Sequence, residues 1–253
     1  MTIKERDIMG GLAKGLMTIE TFTVDRPRQS ISEVSIASGL DRATARRCLL
    51  TLAYLGYADY DGKYFTLTPR VLRLGTACLA TMPLPQVVQP LLDQLSEDLG
   101  ESSYVSILDG SDVVYVAMSS VRKVLSVNLM LGSRLPAFCT STGRVLLASL
   151  DDDAARQLLT SSPLVQRTPR TLIHPEAIMS ELGRIRANGY ALIDQEFEVG
   201  LRSIGVPLQN ARGDTLASMN IAVAAIQSNI DQLVEQYLPA MLRVQSELRS
   251  VLR

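Results

Sequence analysis

Gly39-Leu-Asp41 does most to narrow how this chain can fold. A glycine can end a helix in the left-handed conformation, and an aspartate two residues later can cap the next one. Leu40, between them, packs inward. Upstream, Ser30-Ile-Ser-Glu-Val-Ser-Ile-Ala-Ser38 reads as a short helix with Ser32 as its cap. Downstream, Arg42–Leu55 reads as a longer helix. Its apolar stripe is Ala45, Cys48, Leu49, Leu52 and Leu55, on three-and-four spacing. Asp61-Gly62, a tight-turn pair, then joins two short strands at 57–60 and 63–67. An earlier helix is expected over 10–24, from Leu12, Leu16, Ile19 and Phe22, with a break at Asp25-Arg-Pro-Arg-Gln29. Helix, short helix, turn, helix, hairpin is the order of a winged helix-turn-helix, placed at residues 1–68.

The second helix of such a motif needs one face for the core and another for DNA. The outer face here carries Arg42, Ala43, Arg46 and Arg47. Arginine can grip guanine through two hydrogen bonds or hold phosphate, and a small alanine permits close approach. Thr44, Ser32 with the helix start it caps, and Lys63 at the hairpin tip are candidates for phosphate. Net charge is -1, which argues against a nucleic-acid binder until its distribution is read. Residues 1–75 hold 11 Lys/Arg against 8 Asp/Glu, and the remainder 14 against 18. A basic module on an acidic body suits phosphate contact by one end only.

The rest of the chain has no catalytic signature. His174 is the only histidine, so a multi-histidine metal site is excluded, and Pro175 beside it marks a helix start. No nucleophile elbow, phosphate loop or dinucleotide fingerprint occurs. Ser120-Val-Arg-Lys123 fits Ser-x-x-Lys without the partner motifs that would give it meaning. Glu196 and Glu198 are expected on a solvated loop. Cys48, Cys78 and Cys139 fit neither a disulfide framework nor a zinc pattern. No apolar run reaches the ~18 residues of a membrane span. The N-terminus lacks a secretory pattern, so a cytoplasmic protein without cofactor is expected.

A connecting helix is expected over 69–81, making 69–82 a linker and 83–253 a second domain. That domain reads as helix 86–99, strands near 103–108, 113–118 and 124–130, and helices near 141–149, 151–160 and 175–188. Strands at 190–194, 203–208 and 216–223 and a helix over 230–252 follow. Strands and helices mix without strict alternation, so the fold class is α+β. Gly132–Arg144 brings Arg134 and the hydroxyls of Ser141 and Thr142 to a helix start. Two readings stand: a carboxylate site clamped by Arg134, or a capped helix beside a structural arginine.

Several stretches together resemble the IclR family of bacterial regulators. They are Ile31–Val34, Gly39–Leu52, Leu55-Gly-Tyr57, Tyr64–Gly75, Gly189–Glu196 and Gly200–Leu208. Within the family, Arg134–Arg144 and the Asp41–Arg47 stretch look most like the branch for protocatechuate, β-ketoadipate and 4-hydroxybenzoate catabolism (PcaR, PcaU and PobR). The resemblance implies a winged helix-turn-helix followed by a GAF-like effector-binding domain. It implies binding to a double-stranded operator as a homodimer or dimer of dimers. Its effector would be a small carboxylate, an aromatic acid or a β-ketoadipate-like dicarboxylate. Effector contacts would come from Ser141-Thr142-Gly143, Ser203 and Asn220. Ile193, Ala222 and Gln209 depart from common family residues, and Ile193 in place of an acid favours an anionic or aromatic ligand. The competing readings are an enzyme with an N-terminal assembly module and an architectural DNA-binding protein.

Overall fold

The computed structural model describes residues 4, 7–23, 25–75, 82–121 and 129–252. The chain divides into two compact units, Met1–Thr81 and Met82–Arg253.

The first unit contains α1 (Gly10–Glu20), β1 (Arg28–Ser30), α2 (Ile31–Ser38), α3 (Arg42–Tyr54), β2 (Ala58–Tyr60) and β3 (Tyr64–Leu67). The expected turn chemistry is present. Gly39 ends α2 at φ 70°, and the Asp41 carboxylate accepts from the Thr44 amide at 2.9 Å to cap α3. Val34, Ala45, Leu49, Leu52, Ala58 and Phe65 form a small core, with Leu40 packed against it.

Three details differ from the sequence expectation. The cap of α2 is Ser30, not Ser32. The Ser30 hydroxyl accepts from the Glu33 amide, and the Glu33 carboxylate accepts from the Ser30 amide at 2.7 Å, a reciprocal capping box. Ser32 lies exposed in the first turn. Secondly, residues 28–30 form a third strand, in the antiparallel order β1-β3-β2. Gln29, buried, fastens it by donating to the Thr21 carbonyl at 2.9 Å. Thirdly, Leu12, Leu16 and Leu55 are exposed. Leu55 has passed the end of α3, and a groove lined by Gly11, Lys14, Gly15, Thr44 and Cys48 separates the first half of α1 from α3.

The second unit contains α4 (Pro83–Leu99), β4 (Ser103–Asp109), β5 (Asp112–Ser119), β6 (Arg134–Pro136), α5 (Ser141–Ala148) and α6 (Asp152–Ser161). It continues with α7 (Pro175–Asn188), β7 (Ala191–Asp194), β8 (Leu201–Gln209), β9 (Thr215–Ala224) and α8 (Ile230–Arg249). The six strands form one antiparallel sheet in the order β6-β5-β4-β9-β8-β7. Alternation along β8 and β9 sorts its faces. Ile204, Val206, Leu208, Met219 and Ile221 pack with α4 and α8. Ser203, Gly205, Ser218 and Asn220 take the alternate positions, on the face where α5 lies. The fold is α+β, as expected. Short β6 has no counterpart in the sequence expectation, and the strand expected near 124–130 falls mostly outside the described residues. So do Cys78, Lys123 and the 76–81 part of the expected linker helix. Pro69–Val71 forms a 3-10 turn and residues 72–75 are helical.

Replacing the true cap should matter and replacing its neighbour should not. Ser30→Ala is expected to destabilise the first unit by about 1 kcal/mol in urea denaturation of the full chain, with Ser32→Ala near neutral. Equal effects would show the capping box to be wrongly placed.

Candidate functional site

Two surfaces gather the functional candidates, one in each unit. In the first, Arg42, Ala43, Arg46 and Arg47 all stand exposed on α3. Among the described residues, none of these three arginines is held in an ion pair. Thr44 is half-buried, and its hydroxyl donates to the Asp41 carboxylate at 2.6 Å. Its proton is therefore committed to the cap. Lys63 sits exposed at the hairpin tip, its Nζ 4.9 Å from the Tyr64 ring centroid.

The hairpin tip holds a residue that sequence reasoning passed over. Arg28, on β1, lies 4.2 Å over the Tyr64 ring and pairs with Asp61. Asp61 also accepts from the amides of Tyr64 at 2.8 Å and Lys63 at 2.9 Å. The Tyr64 amide, then the Arg28 guanidinium and the Lys63 amide, hold its carboxyl well below the usual carboxylate range. The signal for Arg28 was its charge, which the sequence placed in a break rather than a strand.

In the second unit, a cavity opens between the sheet and the start of α5. Its free volume in this structure is about 30 Å³, and reaches about 500 Å³ only when interatomic space and adjoining solvent are counted. Tyr104, Tyr115, Phe197, Leu135 and Ile193 supply its apolar wall, and Thr140, Ser141, Ser203 and Asn220 its polar groups. Across the sheet, Ile193 pairs with Ser203 and Ser203 with Ala222, while Asn220 lies between Tyr104 and Gly205. These residues therefore sit on adjoining strands in neighbouring register.

Two glycines allow α5 to begin this close to the strands. A Cβ on Gly205 would lie 3.0 Å from the Ser141 carbonyl carbon, and one on Gly143 would lie 2.2 Å from the Ala137 carbonyl oxygen. Thr140 caps the helix, its hydroxyl accepting from the Gly143 amide at 3.2 Å. Ser141 Oγ and Asn220 Oδ1 are both buried and have no hydrogen-bond partner among the described residues. A buried polar atom without a partner is costly, so each is a ready contact for a polar ligand atom. Burial pushes the phenols of Tyr104 and Tyr115 up, keeping both neutral.

Of the expected effector residues, Ser141, Ser203 and Asn220 come together here. The departures Ile193 and Ala222 line the same cavity, and Gln209 does not. Three residues must be reassigned. Arg134 points away from the cavity on exposed β6 and pairs with Asp109 and, at 3.3 Å, with Asp112. Strand alternation gives the cavity Leu135 instead. Thr142 is fully buried and bonded to the Ser106 hydroxyl. Gly143 acts through the space it leaves for Ala137. The cavity aromatics escape sequence reasoning because neither the strands that carry Tyr104 and Tyr115 nor the corner that carries Phe197 has a chemical motif.

Glu196 requires another correction. It is buried, not solvated, and takes a two-pronged contact from Arg144 at 2.8 and 2.5 Å. Arg144, 1% exposed, also donates to the Phe138 carbonyl at 2.8 Å. Glu196 accepts further from the Leu172 amide at 3.0 Å. Cys139 lies nearby, its thiol pushed up to about 12 by burial, so it is not a nucleophile at neutral pH. His174 occupies the residue before α7, as expected from Pro175. Among the described residues, no cluster of three or more His, Cys, Asp or Glu could hold a metal ion, and no helix is long and apolar enough to cross a membrane.

The family model of the IclR helix-turn-helix domain matches residues 11–62. That of the bacterial transcriptional regulator IclR C-terminal domain matches residues 76–249. The chain belongs to the IclR family. It is 41% identical to the Pca regulon regulatory protein of Pseudomonas putida over 96% of this chain and 84% of that one. It is 37% identical to the p-hydroxybenzoate hydroxylase transcriptional activator of Acinetobacter baylyi, over 98% and 94%. The second unit resembles the inducer-binding domain of the PobR transcription factor from Acinetobacter, solved as a double mutant with 3-hydroxybenzoic acid. That likeness has a TM-score of 0.63 at 32% identity, and covers 66% of this chain and 98% of that one. IclR members are transcriptional regulators, and both units required for the family architecture are present.

Removing one partner of the buried pair should be severe. Arg144→Met is expected to cost about 3–5 kcal/mol, and adding Glu196→Leu should recover much of it. Urea denaturation of the single and double variants measures both. A mild single variant would mean that Glu196 finds another partner.

Proposed function

We propose that this chain is a ligand-responsive, DNA-binding regulator of a catabolic operon for aromatic acids, within the β-ketoadipate pathway. The carrying observation is the cavity. It combines three aromatic rings with two buried oxygens that have no partner among the described residues, one at a helix start and one on β9, in a chain whose relatives include Pca and p-hydroxybenzoate regulators. An aromatic acid would lay its ring against Tyr104, Tyr115 and Phe197. Its polar substituents would meet Ser141, Ser203 and Asn220. With Arg134 outside, a carboxylate would be met by hydroxyls and by the positive end of α5.

The operator contact falls to Arg42, Ala43, Arg46 and Arg47 on α3, with Ser32 and Lys63 at phosphates; Thr44, expected there too, gives both its hydroxyl and its amide to Asp41 and has no donor left for one. The protein acts in the cytoplasm as a homodimer or dimer of dimers. Ligand binding shifts the population between arrangements of the chain, and the connecting segment 69–82 transmits the shift.

Thermal-shift titration with 4-hydroxybenzoate, protocatechuate and β-ketoadipate tests the ligand class. A true effector at ~100 times its Kd adds about 2.7 kcal/mol to the native state. Arg134→Ala should leave that response unchanged, and a weakened response would return Arg134 to the site. A rise only with unrelated carboxylates would move the protein to another pathway. For DNA, Arg46→Ala with Arg47→Ala should abolish operator preference. It should also flatten the log–log salt dependence by about 0.9 for each phosphate left without its arginine. Unaltered binding would remove α3 from the interface.

A further inference from the structure

The wing carries an ion pair whose chemistry the recognition helix does not explain. Arg28 on β1, Asp61 in the hairpin turn, Lys63 and Tyr64 form one exposed cluster. Strand pairing fixes its layout, since Ser30 lies opposite Tyr64 and Arg28 opposite Thr66. Two cations share the Tyr64 ring, and a single carboxylate lies between the guanidinium and the turn amides.

That carboxylate is anchored from the other side. Its Oδ1 takes the amides of Lys63 and Tyr64, leaving Oδ2 to Arg28. Asp61 thus stays with the turn whatever Arg28 does. Arg28 is not equally bound: its side chain is 57% exposed and Asp61's 47%. An ion pair this wet is weakly held. The two non-bridging oxygens of a DNA phosphate offer a guanidinium a two-pronged acceptor, as the two oxygens of a carboxylate do. The ring beneath Arg28 restricts where its guanidinium can go, so the exchange would cost little ordering.

We infer that Arg28 is a DNA phosphate contact of the wing, and that Asp61 competes with the phosphate for it, restraining binding to DNA of any sequence. In free protein the carboxylate occupies the guanidinium. On a duplex, Arg28 passes from Asp61 Oδ2 to a phosphate oxygen, while Lys63 engages the backbone from the hairpin tip. The contact reads no bases, so its effect is uniform across sequences. This inference rests on the proposed DNA-binding function.

The test uses the full chain and a random-sequence duplex of about 40 bp, with affinity measured by anisotropy across a salt series. Arg28→Ala should weaken binding and reduce the log–log salt slope by about 0.9. Asp61→Asn keeps an amide oxygen for the turn but removes the charge, and should tighten binding roughly two- to fivefold. In the Arg28→Ala background, Asp61→Asn should have no further effect, because its action runs through Arg28. An Arg28→Ala variant with wild-type affinity and slope would overturn the contact. Asp61→Asn that weakens binding, or tightens it equally without Arg28, would overturn the restraint. Wild-type protein that binds no duplex at all would instead sink the DNA-binding function, so the two failures are distinguishable.

Discussion

The buried Arg144–Glu196 pair fixes the geometry on which the cavity of the second unit depends. A charge removed from water without a partner is severely destabilising, so the segments carrying these two groups must be placed together. Arg144 comes from α5, about one turn past Ser141. Glu196 comes from the corner between β7 and β8, just before Phe197. The pair thereby joins the polar wall of the cavity to part of its aromatic wall. The Phe138 carbonyl and the Leu172 amide complete its hydrogen bonding and bring two more segments into register. Thr168 and Thr171 donate to the carbonyls of Gln195 and Glu196 at 2.7 and 2.6 Å, holding the corner from outside. These bonds sustain a backbone that is otherwise unfavourable, since Gln195 has φ 62° without being glycine.

The same pair determines the electrostatics of the cavity. Its two charges satisfy one another behind the wall, and none of the lining side chains is ionised. With Ile193 in the sheet and Arg134 at the surface, no charged side chain among the described residues lines the cavity. A ligand taken up there, as proposed, would be recognised by shape, aromatic contact, the two oxygens without a described partner and the dipole of α5. Such a site discriminates by ring fit and by the position of polar substituents more than by net charge.

How much of this was legible in the sequence follows the distance over which each feature is determined. Gly39, Asp41 and Asp61-Gly62 act on immediate neighbours, and each does what its local chemistry dictates. The α2 cap lies two residues from its expected place although its signal is present: Ser30-x-x-Glu33 is a capping-box pattern, and Ser32 has no acid three residues on. β1 has only three residues and exists because β3 pairs with it, so no periodicity marks it. Arg134 belongs to the expected segment and to the opposite face, since strand alternation inverts the meaning of adjacent residues. Glu196 was beyond reach. Its partner lies 52 residues earlier, and nothing local distinguishes it from the Glu198 two places on.

Charge consequently has opposite uses in the two units, which a net value of -1 conceals. In the second unit, burial makes the Arg144–Glu196 pair permanent, and its value lies in the positions it enforces. In the first unit, Arg42, Arg46 and Arg47 are unpaired among the described residues, and Arg28 is paired only where water weakens the bond. Exposed guanidiniums keep their affinity for phosphate because no stronger internal partner claims them. If this surface contacts DNA as proposed, it gains from a few well-placed carboxylates. Each one lowers attraction to the far more numerous wrong sequences without touching a base. Asp61 has the placement for that role, being tied to the hairpin by two backbone amides and to its cation by a single exchangeable contact.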